Sequence, residues 1–102
     1  MNAKEINGSV TPAVVDVPAV LRPFMADGRI LMMPAKASRR RLILEIVVQD
    51  FDIGVRYSEK MVNLTLGMRH SDTAMLRRYL VDEDLMSRHN GVYWRTGGKV
   101  DV

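Results

Sequence analysis

The chain has 102 residues, 47% hydrophobic and 26% charged, with no cysteine and a net charge of +3. One globular domain accounts for that length, and the balance excludes collagen-like, low-complexity and wholly disordered chains. Without cysteine the chain has no disulfide and no thiolate metal ligand, so folding rests on a hydrophobic core and a reducing cytoplasm is the expected compartment.

Residues 1–17 mix Gly, Ser, Thr, Pro and valines without a helical period and read as a flexible N-terminal arm. The apolar stretch Val10 to Leu21 is interrupted by Pro12, Asp16 and Pro18, so neither a targeting segment nor a membrane span is expected. The domain proper is read as residues 18–96, with 97–102 as a C-terminal tail. Pro18 suits the first turn of a short helix carrying Val20, Leu21, Phe24 and Met25, which Asp27-Gly28 ends. Arg29 to Met33 reads as a short strand closed by Pro34. A long core helix follows to about Asp50, with Leu42, Ile43, Ile46, Val47 and Phe51 on one stripe.

Gly54 turns the chain, Tyr57 sits in a brief extended piece, and Ser58 caps a helix of about ten residues. Glu59 lies at its positive end, and its apolar residues are Met61, Val62, Leu64 and Leu66, with Gly67 as the stop. After Met68-Arg69-His70, Ser71 is placed to cap another helix reaching Asp82 to Asp84. Its period puts Met75, Leu76, Tyr79 and Leu80 inward and Ala74, Arg77, Arg78 and Val81 outward. Asn90-Gly91 tolerates the two positive φ values of a type I′ turn, so 85–95 reads as a β-hairpin. In this order the elements predict an α+β winged helix-turn-helix, mainly helical with a C-terminal β-hairpin wing. The helix 71–84 would then read DNA.

The sequence also resembles the bacterial domain of unknown function 2087 family over roughly residues 20–96. The similarity is carried by Phe24, Asp27-Gly28-Arg29, Pro34 and Lys36 with the basic run to Arg41, then Phe51, Gly54, Tyr57-Ser58-Glu59, Val62-Asn63 and Leu66. It continues through His70, Asp72, Leu76 to Val81, Leu85, Arg88, Gly91 and Tyr93. The resemblance implies a winged-helix-like domain tied to transcriptional regulation.

The candidate DNA contacts are Arg77, Arg78 and Thr73 on the helix 71–84, Arg69 before it, Arg88 and Arg95 on the hairpin 85–95, and Arg39 and Arg40 further upstream. Arginine suits this work because its planar fork grips phosphates or guanine edges through two donors at once. Arg77 and Arg78 also admit a plainer reading, in which they are solvated or pair with Asp82 and Glu83 on the same helix. The segment Met68 to Arg95 carries a net charge of only +1, whereas Arg22 to Arg41 carries +5. If Ser38 capped the core helix, Arg39, Arg40 and Arg41 would oppose its macrodipole and invite an anion. If the helix starts nearer Ala35, Arg41 pairs with Glu45 instead. Across the hairpin turn Arg88 should oppose Tyr93, with Met86 and Arg95 on the same face and His89, Val92 and Trp94 on the other. The alternation leaves open which face is buried.

His70 and His89 lack a triad partner or metal-ligand spacing, and the glycines form no phosphate loop, so an enzyme, a cofactor and a metal site are not expected. Two functions remain. One is a DNA-binding transcriptional regulator domain, expected as a homodimer because a single helix and wing give little affinity. The other is a protein interaction module that docks an acidic protein partner on the basic stretch 36–41.

Overall fold

The computed structural model describes residues 17–100. The expected arm therefore lies outside the described residues except for Val17, which packs against the core, and residues 101 and 102 lie outside as well. Three helices and two small antiparallel sheets make an α+β domain.

The helix expected after Pro18 does not form. A single 3-10 turn, Ala19–Leu21, takes its place, with the Leu21 amide donating to the Pro18 carbonyl at 2.8 Å. Pro23 has no amide to continue the ladder, so the chain leaves the turn at Phe24 and enters β1, Met25–Ala26. Asp27-Gly28 does not stop a helix but turns a hairpin, with φ of 52° and 78°, into β2, Arg29–Ile30. Both residues sit left-handed, as a type I′ turn requires.

Helix α1 spans Ala37–Val48 and Lys36 occupies its N-cap without a side-chain bond, so Ser38 is not the cap. Its buried residues are Ile43, Leu44, Val47 and Val48, followed by Phe51. The stripe is therefore rotated from the expected one: Leu42 is exposed and Ile46 only half-buried. Phe51 meets Tyr57 edge to face at 5.2 Å, and the Tyr57 hydroxyl accepts from the Asp52 amide at 2.9 Å. These contacts set strand β3, Arg56–Ser58.

Helix α2, Glu59–Gly67, starts as expected, with the Ser58 hydroxyl accepting from the Met61 amide. Val62 and Leu66 face inward, whereas Met61 and Leu64 are exposed. Helix α3, Thr73–Asp82, is capped by Asp72 rather than Ser71: the Asp72 carboxylate accepts from the Met75 amide at 3.0 Å. Leu76 and Leu80 are fully buried, and Met75 and Tyr79 pack at the edge of the core. Strands β4, Met86–His89, and β5, Val92–Arg95, form the expected hairpin around Asn90 and Gly91, at φ 50° and 77°. Strand β3 pairs with β5 on the other side, so the sheet order is β3-β5-β4. The buried face carries Met86, Tyr93 and Arg95, so the inward side that alternation left open is the one facing the helices.

Helix α3 ends in a double reverse bond, Leu85 amide to Leu80 carbonyl at 2.9 Å and Asp84 amide to Val81 carbonyl at 3.1 Å, with Asp84 left-handed at φ 60°. Glycine normally fills that position, and a carboxylate there also opposes the negative end of the helix dipole. Asp84→Gly is expected to stabilise the fold by about 0.5–1 kcal/mol, the relief of strain and repulsion exceeding the added entropy of the unfolded chain. Urea unfolding checks it, with Asp84→Ala expected to gain less because it keeps the strained backbone.

Candidate nucleic-acid interface

The outward face of α3 presents Ala74, Arg77, Arg78, Val81 and Asp82, spaced i, i+3, i+4, i+7 and i+8, one stripe of a 3.6-residue helix. Opposite that stripe stand Arg88 of β4 and Tyr93 of β5, and together these seven residues line a groove of about 300 Å³. Three guanidinium groups and one carboxylate give its walls a positive balance. The burial of Leu76 and Leu80 fixes which way the helix is rolled, and hence that the arginines lie outside.

Each arginine is held differently. Arg77 is half-buried and donates to the side-chain carbonyl oxygen of Asn63, which ties α3 to α2 and fixes the direction of its fork. Arg78 is exposed and has no side-chain hydrogen bond or ion pair among the described residues. Arg88 is exposed and opposes Tyr93 across the hairpin, as expected. The Tyr93 oxygen beside it, and to a smaller extent Glu59, hold its guanidinium above the ordinary arginine value. Tyr93 itself is buried and donates its hydroxyl to Glu59 at 3.0 Å, pinning the hairpin to the start of α2. The wall made by β5 is therefore rigid, and the charges with room to reorient are those of Arg78 and Arg88.

Two of the expected DNA contacts point the other way. Arg69 is 1% exposed: its Nε and Nη2 grip both oxygens of Asp50 at 2.7 Å, and Nη1 donates to the Gly28 carbonyl at 2.8 Å. Arg95 is 8% exposed and sits at the base of the hairpin, opposite Met86, where it donates to the carbonyls of Phe51, Gly97 and Lys99. Neither guanidinium can reach a ligand without opening the fold. Thr73 begins α3 and is half-buried.

Two of the four cations in the basic stretch 36–41 are used inside the molecule. Arg40 lies 5.0 Å over the Tyr79 ring and donates to the Ala35 carbonyl at 2.7 Å. Arg41 bonds Glu45 at 2.9 Å, as its spacing suggested, and reaches both the carbonyl and the carboxylate of Glu83. The bond to Glu45 is the largest cause holding its guanidinium above the ordinary value, with Glu83 adding to it. Glu83 therefore serves α1 rather than Arg77 or Arg78 on its own helix. Arg39, in the first turn of α1, is half-buried.

Sequence reasoning missed Asn63 and Glu59 as the groups that position Arg77 and Tyr93, and the stacking of Arg56 on Trp94 at 4.6 Å on the outer face of the sheet. Each depends on pairing between distant segments, above all β3 with β5, for which the sequence carries no local signal. Among the described residues, no group of three or more His, Asp or Glu side chains is placed to hold a metal ion, and no helix is long and apolar enough to cross a membrane.

A small α+β domain with a basic helix-and-hairpin groove is the class that these features define. Residues 29–95 match the family model described as an uncharacterized protein conserved in bacteria (DUF2087), and the chain belongs to that family. No curated protein and no solved structure matches the chain.

Proposed function

We propose that this domain is a winged helix-turn-helix that binds duplex DNA in transcriptional control, with α3 as the recognition helix and the β4–β5 hairpin as the wing. The element order α1-β3-α2-α3-β4-β5 and the sheet order β3-β5-β4 agree with that arrangement. The observation that carries the reading is the convergence of Arg77, Arg78 and Arg88 on one groove beside the exposed face of α3. A helix of ten residues with small Ala74 and Val81 beside its arginines is narrow enough to enter a major groove. Arg88 on the hairpin is then set to meet a phosphate.

Docking of an acidic protein on residues 36–41 has less behind it, because Arg40 and Arg41 are already engaged by Tyr79, Glu45 and Glu83. Fluorescence anisotropy with a mixed-sequence duplex between 50 and 200 mM salt is the test. Affinity should fall steeply with salt. The exposed pair Arg78→Ala with Arg88→Ala should weaken it about tenfold or more and flatten the log–log slope by about 2, roughly one for each phosphate left without its arginine. A double variant that binds like the parent, or a parent that does not bind at 50 mM salt, would overturn the proposal.

A further inference from the structure

The outer side of α2 is apolar. Met61 and Leu64 lie on it, with Met68 one turn on, at i, i+3 and i+7, turned away from the buried Val62 and Leu66. Leu31 and Met32 follow β2 directly, and the Ile30 amide donates to the Arg69 carbonyl at 2.8 Å, so the end of that hairpin runs beside Met68. The five side chains are between 36% and 61% exposed. No charged residue occurs from Met61 to Met68, or from Leu31 to Ala35, in a chain that is 26% charged overall; the exposed Lys60 precedes the stripe, and the exposed Arg29 borders it, donating to the Met68 carbonyl at 2.7 Å. Depletion of charge and enrichment of methionine mark the centres of protein interfaces rather than ordinary surface.

From this stripe we infer that the α2 face is the contact between two copies of the chain. The five side chains expose on the order of 500 Å² of apolar surface, at the upper end of what a monomer leaves uncovered. Two copies of the patch, if wholly covered, together just reach the roughly 1,000 Å² that a specific interface must clear. A patch facing its own copy needs no second complementary surface: under a two-fold axis each residue meets its symmetry counterpart or a neighbour within the same stripe. Leu64 lies between Met61 and Met68, so the axis falls near it and the two α2 helices cross there. The inference stands apart from the DNA reading, since the arginine groove is on α3 and the hairpin.

Sedimentation equilibrium of the full chain across about 10–300 μM decides it, together with single substitutions that the absence of cysteine makes clean. The parent should approach twice its 11.6 kDa mass. Leu64→Glu should remain a monomer throughout while melting like the parent, because that side chain is 60% exposed. Under mild oxidation Leu64→Cys should cross-link into a covalent dimer, whereas Ile53→Cys, at a similarly exposed position away from α2, should not. A parent that stays monomeric with uncross-linked Leu64→Cys would show that no second copy covers the stripe. A dimer that survives Leu64→Glu would place the contact elsewhere. Either result overturns the inference.

Discussion

Arg69→Ala is expected to lower the unfolding free energy by about 3–5 kcal/mol, the range for removing one partner of a buried ion pair. Three effects act together. Asp50 keeps a carboxylate that is only 20% exposed and loses both of its 2.7 Å bonds. The Gly28 carbonyl, in the turn between β1 and β2, loses its donor. The volume of the largest fully buried side chain among the described residues becomes a cavity. A domain of this size has about 5–15 kcal/mol in total, so the variant should melt about 15 °C or more below the parent. Arg69→Lys should recover only part of this, because one ammonium cannot span both Asp50 oxygens and Gly28. Circular-dichroism melts of the two variants check the prediction, and a loss under about 1 kcal/mol for Arg69→Ala would show that the fork does not hold the hairpin to the helices.

Features decided within a few residues are legible in the sequence: Asn90-Gly91 forces its turn, Ser58 caps α2, and the period of α3 puts Leu76 and Leu80 inside with Arg77 and Arg78 outside. Asp27-Gly28 carries the same turn chemistry, yet the strands it joins are two residues long, too short to show an alternation, so the hairpin reads as a helix end. Helix α1 is ambiguous for another reason. Six of the seven residues from Leu42 to Val48 are apolar, so no single stripe stands out, and only packing against the 3-10 turn and α3 selects Leu44 and Val48 over Leu42 and Ile46. Arg69 and Arg95 depend on partners 19 and 44 residues away, Asp50 and the Phe51 carbonyl. An arginine in a turn or on a strand looks alike from its neighbours whether it faces water, a DNA phosphate or a buried acceptor, and only the tertiary partner distinguishes them.

Arg95 should behave differently from Arg69 when removed, because among the described residues no carboxylate pairs with it: its acceptors there are three backbone carbonyls, Lys99 at 2.6 Å, Gly97 at 2.9 Å and Phe51 at 3.1 Å. These are charge-assisted bonds to neutral oxygens, so Arg95→Ala orphans no carboxylate among the described residues, but it strands the Phe51 carbonyl within the fold. The expected loss is about 2–4 kcal/mol, from one unpaired buried carbonyl, two released bonds and the vacated volume. The damage should also be directional. The Gly97 and Lys99 carbonyls are gathered by this one side chain, with Gln49 adding a bond to Lys99 and the Gly97 amide donating to the Leu85 carbonyl at 3.1 Å, and Gly98 lies close enough to Val48 that a Cβ there would come within 2.7 Å. Without Arg95 the Thr96 and Gly97 amides, both bonded to the Leu85 carbonyl, should lose hydrogen-exchange protection while β4 and β5 keep theirs near the turn. Arg69→Ala should show the reverse pattern, with the exchange concentrated at Gly28 to Ile30 and the α2–α3 link. Matching exchange maps for the two variants would mean that the guanidinium groups act through global stability alone, and that neither one anchors its own segment.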